Sequence, residues 1–488
     1  MKSPYLLAPV AAVLLLVLFC QFDGTRSSAQ TEDQNIYLRY IEAPSSVVKV
    51  YEEMVTIRAY PYARHLVDVY SSQYHMTFKR LNRSTYQSSP LLSQDQTFQG
   101  VVLENEFLKL TVLPELGGRI YSCVFKPTGH NEFYRNPVLK PTHWGPTEQG
   151  WWLAAGGIEW CLPVEEHGYE SAMPWLSHVD QSPSGATVTV ADSTDTGRLC
   201  ASVAIHLPAE SAYFSVTPRV TNRANEEIAF QFWLNAMLAP GGGNSPSSQL
   251  EFVYPTTQMT VHSRDARWTA LPDAGGALDW PVDCGLDLRF LGNWPHYLGC
   301  FERPAAVADF VSVYDHRDQE GIVRVFPSEI ARGAKLFAPG FGANAIPAAV
   351  WTDDGSSYVE IHGGLTPTFG DYTRLSPGEE ITWTEYWYPV MGLGGVQYAN
   401  RNVALNLERT TDGVWIGISV TSPHTDTLIS LTRCDGSNAL FSATIPVIDP
   451  VCPYYVGPVS VPAGDSEDLC LNFYARNGAL IASYRTRS

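Results

Sequence analysis

At 488 residues the chain is too long for one ordinary domain, and 45% hydrophobic against 17% charged residues excludes a disordered polymer. Its formal charge of −18 excludes a surface adapted to nucleic acid or anionic lipid, and it argues against polyanionic glycans unless a local basic cleft intervenes. The 38 glycines and 34 prolines suit short strands joined by turns better than helices.

In chain order, residues 1–29 read first, as an export signal. Lys2 supplies a basic start, Leu6 to Phe19 form an apolar run interrupted by Pro9, and Ser27-Ser28-Ala29 places small residues before Gln30. That run is shorter than the roughly 20 residues a bilayer span requires; a retained anchor is the alternative. Phe19 before Cys20 argues against lipidation. No later segment is long and apolar enough to span, so the mature chain is expected to be secreted, periplasmic or extracellular, with no membrane contact after signal cleavage. Residues 36–95 hold a short β segment, Val47–Tyr60, expected to pack on the next domain.

Period-two alternation dominates residues 96–392. Leu108, Leu110 and Val112 share one strand face with Lys109 and Thr111 opposite, and Val203, Ile205 and Leu207 repeat the pattern. Further strands are predicted over 187–191, 213–220, 228–234, 310–315, 322–326, 357–362 and 381–388. Turn clusters such as Pro183-Ser184-Gly185 and Ser376-Pro377-Gly378 separate them. Gly392-Leu393-Gly394-Gly395 reads as a hinge, and 396–488 returns to strands at 403–407, 414–420 and 468–475. The expected fold class is all-β: a large antiparallel β-sandwich followed by a small immunoglobulin-like one.

Nine cysteines become eight once Cys20 leaves with the signal, an even count that suggests disulfides in an exported chain. Local spacing pairs Cys284 with Cys300 and Cys452 with Cys470; partners for Cys123, Cys161, Cys200 and Cys434 are not legible. No Cys/His spacing typical of zinc occurs, and Asp353-Asp354-Gly355 and Asp315-His316-Arg317-Asp318 read as solvated acidic turns, so no metal is expected. No phosphate-cradling glycine loop and no nucleophile elbow is present, so no cofactor is expected either. Asn82-Arg83-Ser84 is an isolated glycosylation sequon.

The densest chemical signal lies between Thr142 and Trp175, with Trp144, Trp151, Trp152, Trp160 and Trp175 set among His143, Glu159, Glu165, Glu166, His167 and Tyr169. Indole faces stack on the C–H faces of sugars while carboxylates and imidazoles bond the hydroxyls. Core filling is the competing reading for each tryptophan, but Gly145, Gly150, Gly156, Gly157 and Gly168 indicate loops. In the strand 358–362, Tyr358, Glu360 and His362 share one face, with Gly363-Gly364 leaving space beside them. Glu385 shares a face with Trp383 and Trp387, where it either pairs with an arginine or lines a wet cleft.

Here a resemblance enters. Glu104-Asn105-Glu106-Phe107-Leu108 through Pro114-Glu115-Leu116-Gly117-Gly118-Arg119, then Phe133–Pro137, Ala155–Trp160, Tyr358–Gly364 and Trp383–Trp387, resemble the domain of unknown function 5107 family. That family looks like a branch of the galactose-mutarotase-like, carbohydrate-binding superfamily, and the likeness covers about 47–392. It implies a large twisted sandwich with a saccharide cleft. It also implies Glu360 as counterpart of the epimerases' general base, and Arg119 as a sugar-binding or structural arginine. Glu159 stands near where the epimerases carry a histidine, which puts simple mutarotation in doubt. Many members carry helical repeats after the domain, whereas 396–488 reads as strands.

The expected partner is a saccharide or glycan; nothing bears on oligomeric state. Three functions follow. A glycoside hydrolase would use Glu159 and Glu360 as its carboxylate pair, with Glu385 in reserve, their separation assigning retention or inversion. An aldose mutarotase or epimerase would use Glu360 as base and His362, His167 or His143 as acid. A non-catalytic glycan-binding or surface protein would use the same aromatic surface. Whether the protein is an enzyme stays open at this stage, as do sugar, linkage and anomer. The candidate catalytic residues are Glu159, Glu360, Glu385 and His362, and the candidate binding residues Arg119, His143, Trp144, Trp151, Trp152, Trp160, His167 and Tyr358.

Overall fold

A computed structural model describes residues 47–89, 92–193, 195–306, 308–435, 439–461 and 468–486. The export-signal segment 1–29 lies outside the described residues.

Two large sheets pack face to face. One has 13 strands and runs in the order Ala277–Asp279, Gln258–Arg264, Leu298–Arg303, Gly333–Ala338, Val359–Gly364, Trp233–Leu238, Gly157–Cys161, Arg119–Phe125, Leu108–Leu113, Gln94–Glu104, Lys49–Ala59 and Val138–Leu139, with His130–Asn131 beside Arg119–Phe125. The other has nine strands, among them Gly185–Ala191, Leu199–Pro208, Phe214–Asn222, Glu385–Met391 and Glu320–Val325. The strand Lys49–Ala59 is not merely packed on the sandwich. It bonds along its whole length to Gln94–Glu104.

Alternation decides which side chains meet between the sheets. Leu108, Leu110 and Val112 enter the common core with Ile158, Trp160, Leu234, Ala236, Leu336, Val359 and Ile361. The predicted run 228–234 breaks at Gln231-Phe232 into Ile228–Phe230 and Trp233–Leu238. The run 381–388 likewise breaks into Glu380–Thr382 and Glu385–Met391. Asn82, noted as a sequon, N-caps the short helix Arg83–Gln87, its side chain accepting from the Thr85 amide at 3.2 Å.

Glu385 lies inside the sandwich rather than on a wet surface. Arg324 from Glu320–Val325 donates to it twice, at 2.7 and 2.9 Å, and the Trp383 indole donates at 2.9 Å. Both charged side chains are fully buried. Gly363 serves this pair and leaves no room for a ligand, because a Cβ there would stand 2.1 Å from the Arg324 guanidinium. At Gly364 a Cβ would meet the Trp233 ring at 2.2 Å.

Beyond Gly395 two four-stranded sheets form the small C-terminal sandwich. One contains Tyr398–Asn400, Val403–Thr410, Gly413–Val420 and Tyr454–Val459; the other His424–Arg433, Ala439–Ile448, Leu469–Tyr474 and Leu480–Arg485. Its own core includes Leu405, Ile416, Ile429, Leu471 and Phe473. Here the disulfide joins Cys434 to Cys470, not Cys452 to Cys470. Strand pairing overrides nearness in sequence: Arg433 lies opposite Leu469 and Thr432 opposite Cys470, which sets Cys434 beside its partner. Cys284 and Cys300 are likewise not joined, the first being exposed in a turn and the second buried within Leu298–Arg303.

Removing one member of a fully buried pair strands the other charge, which costs about 3–5 kcal/mol. Urea unfolding of Glu385→Ala is therefore expected to show a loss of that size. The double variant Arg324→Met with Glu385→Leu is expected to lose much less.

Candidate functional site

The other face of the 13-stranded sheet is not part of the sandwich interior, yet its central strands Gly157–Cys161, Trp233–Leu238 and Val359–Gly364 are buried on that face too. Its register is informative. Glu159 lies opposite Asn235, Asn235 opposite His362, and His362 opposite Lys335, so four polar side chains form one row across four neighbouring strands. All four are buried. Polar groups in such a position must satisfy one another.

Glu159 anchors one end, with 1% of its surface exposed. Its Oε1 accepts from His167 Nδ1 at 2.8 Å and from Trp152 Nε1 at 3.0 Å, and Asn235 Nδ2 approaches at 3.4 Å. Its Oε2 accepts from Arg119 at 3.3 Å. Arg119, fully buried, gives its remaining donors to the carbonyls of Leu116, Gly156 and Ser171. It therefore fastens the loop around Ser171 to the sheet and does not point a guanidinium fork at a sugar. Gly117 permits that contact: its φ is +74°, and a Cβ there would stand 2.0 Å from the Ser171 carbonyl oxygen.

Above Glu159 a cleft of about 530 Å³ opens, lined by His143, Trp144, Trp152, Glu166, His167, His262, Tyr297, Lys335, Phe337, Tyr358 and Glu360, among others. The His167 imidazole stacks on Trp152 with centroids 3.7 Å apart and planes tilted by 17°. Trp144 leans on Trp152 and Trp351, and exposed His143 lies beside Trp144 at the rim. With Nδ1 engaged by Glu159, the other ring nitrogen of His167 is the one available to the cleft, a carboxylate-oriented imidazole.

The floor is a second polar chain. Glu360 Oε2 and His362 Nε2 are 2.7 Å apart, Lys335 Nζ is 3.3 Å from the same nitrogen, and Lys335 donates to Glu166 Oε1 at 3.2 Å. His362 Nε2 offers one proton or one lone pair, so it serves either Glu360 or Lys335, and its role follows the ring tautomer. Burial raises the Glu360 pKa against the pull of Lys335, while burial and Lys335 push His362 well below the ordinary imidazole range. Glu166 is the opposite case. Burial opposes its ionisation, but Lys335, His262 and His167 outweigh that effect and hold its carboxyl at about 2. His262 itself is pushed down to about 4 by burial and by Lys335.

Of the residues singled out from sequence, His143, Trp144, Trp152, His167, Tyr358 and Glu360 meet at this cleft. His362 and Glu159 lie directly beneath it. Trp151 is elsewhere, donating to the Lys79 carbonyl within a separate aromatic cluster, and Trp160 is in the sandwich core, donating to Gly118. Glu385 is on the other sheet. Sequence reasoning assigned no role to Glu166 and overlooked Lys335, Asn235 and His262. A signal existed for Lys335, since Gly333–Ala338 alternates Lys335 and Phe337 against Ala334, Leu336 and Ala338. Among the described residues no group of three or more His, Cys, Asp or Glu is arranged to hold a metal. Nor is any helix among them long and apolar enough to cross a membrane.

The chain belongs to the DUF5107 family, described as a domain of unknown function, which it matches over residues 82–390. Among solved structures it is similar to a TPR-domain containing protein from Parabacteroides distasonis ATCC 8503, at 20% identity and a TM-score of 0.58, over 71% of this chain and 56% of that one. The chain thus spans little more than half of that protein, and at this identity the likeness concerns the fold. Weaker likeness recurs among galactose mutarotase-like proteins. One from Clostridium acetobutylicum is 12% identical with a TM-score of 0.42, over 60% of this chain and 96% of that one. Another from Lactobacillus casei ATCC 334 is 13% identical with a TM-score of 0.38, over 59% and 99%.

Glu166 also predicts a pH effect. A folded-state pKa of about 2 against an ordinary 4.5 contributes stability that is complete above about pH 4.5 and disappears as pH falls through 2. The difference in thermal unfolding between the native protein and Glu166→Gln, followed from pH 6 to pH 2, is expected to shrink to nothing across that window.

Proposed function

We propose that this protein is an exported carbohydrate-active enzyme that binds a saccharide in the Trp144–Trp152 cleft and processes it by acid–base chemistry, with cleavage of a glycosidic bond as the reaction. The observation that carries the reading is the Glu360 carboxyl, whose pKa burial raises, at the floor of an aromatic-walled cleft 2.7 Å from His362. A carboxylic acid held neutral is what protonation of a leaving sugar oxygen requires. The Trp144 and Trp152 indoles supply flat faces for a pyranose, and His143 and Tyr358 supply hydrogen-bonding groups. The Cys434–Cys470 disulfide suits an oxidising, extracytoplasmic compartment, in keeping with the leader read over 1–29.

The oriented imidazole of His167 favours a second reading, interconversion of aldose anomers or epimers. Glu360 and His167 would there exchange protons with the ring oxygen and the anomeric hydroxyl. Polarimetry on common hexoses separates the two, since acceleration of anomer exchange without release of a smaller sugar selects the second.

The central test is Glu360→Gln assayed on a panel of 4-nitrophenyl glycosides and oligosaccharides. On the oligosaccharides, whose departing oxygen needs a proton, loss of a general acid lowers turnover by about 10²–10⁴-fold, and unchanged turnover there removes the assignment. The same substitution is expected to leave the fold intact and to raise its stability above the ordinary carboxylate range. There the raised pKa of Glu360 means that ionisation works against the folded state. Trp144→Ala is expected to weaken saccharide binding by about fivefold, in line with roughly 1 kcal/mol for a ring-stacking contact, measured by calorimetry.

A further inference from the structure

We propose that Glu166 is the second catalytic carboxylate of this cleft, accepting a proton from the water that attacks the sugar while Glu360 protonates the departing oxygen. The proposal rests on the saccharide-processing reading above and replaces Glu159 as Glu360's partner. Glu159 has no free route to a substrate: it is sealed under Trp152 and His167 and engaged by four side chains. Glu166 lines the cleft, and about a third of its side chain (34%) is exposed there.

Three features support the assignment. Successive contacts of 3.2, 3.3 and 2.7 Å join Glu166 to Lys335, Lys335 to His362, and His362 to Glu360, so both acids address the same part of the cleft. The donor-only ammonium of Lys335 pairs with Glu166 and keeps it as the carboxylate, while deeper burial favours the protonated form of Glu360. Finally, Glu166 and His167 are consecutive non-glycine residues with φ of +38° and +74°. Left-handed backbone costs roughly 1–2 kcal/mol per residue. Such strain persists where surrounding structure enforces it, and it clusters at active sites. At this place it sets a carboxylate and an imidazole side by side in the cleft.

The step balances. The Glu360 carboxyl gives its proton to the glycosidic oxygen and the bond from that oxygen to the anomeric carbon breaks. Water forms the new bond to that carbon and loses a proton to Glu166. Proton return from Glu166 to Glu360 through solvent restores the site.

The test uses the 4-nitrophenyl glycoside that the native full-length chain cleaves fastest. Glu166→Gln, nearly isosteric, is expected to lower kcat at least a hundredfold with KM within about threefold, near-ultraviolet circular dichroism confirming the native fold. Lys335→Met is expected to move the acidic limb of the kcat/KM profile upward toward the ordinary carboxylate range; if that variant fails to fold, Glu166→Gln decides alone. Full turnover by Glu166→Gln beside a Glu360→Gln variant inactive on the oligosaccharides overturns the role of Glu166 and leaves the proposed function standing. Absence of turnover by the native protein across the whole panel overturns both.

Discussion

A carboxylate removed from water must be surrounded by donors, and the site of this protein is organised around that requirement at Glu159. The residue sits in the middle of a wide sheet, on the face turned away from the sandwich core. Arg119, Trp152, His167 and Asn235 converge on it from a neighbouring strand, the short strand Trp152–Leu153, a loop and the adjacent strand. Each is thereby held in position: Arg119 ties down the chain at Ser171, Trp152 becomes a wall, and His167 is stacked and oriented. Buried charge of this kind adds little net stability compared with an apolar core. What it provides here is a defined geometry for the groups above it.

The same register separates scaffold from chemistry. Along Val359–Gly364 the side chains of Val359 and Ile361 enter the core, while Glu360 and His362 face the loops. Two ionic centres result, on opposite sides of one sheet. Arg324 and Glu385 are closed inside the sandwich, where they join adjacent strands of the nine-stranded sheet. Lys335, Glu166 and Glu360 line a cleft, into which Glu166 is the most exposed of the three. Both centres contain an acid beside aromatic rings, so composition alone does not tell them apart.

That ambiguity explains what was legible in the sequence. Strand alternation identified the all-β class, the core faces of Leu108–Val112 and Val203–Leu207, and the common face of Tyr358, Glu360 and His362. The tryptophan-rich stretch located half of the cleft. What was not legible depended on pairing between distant strands: Cys434 reaching Cys470, Arg324 reaching Glu385, Lys335 settling beside His362. The most recognisable family run is itself architectural. Asn105 closes a turn, accepting from the amides of Phe107 and Leu108 and donating to the carbonyls of Pro208 and Ser211. Gly117 exists for the Ser171 contact. A motif can thus mark a family while the cleft is lined by less conspicuous residues such as Glu166.

The polar row from Glu159 through Asn235 and His362 to Lys335 also bears on how the chain matures. Its members are contributed by strands scattered over some 200 positions, and only Lys335 and His362 come from consecutive strands. Long-range pairing of this kind is slow to form, because chain closure precedes the contacts that reward it. No fragment ending before the strand Val359–Gly364 contains a floor for the cleft. Formation of the cleft therefore waits for its last strand, and a folding intermediate with most of the large sheet in place would still lack it.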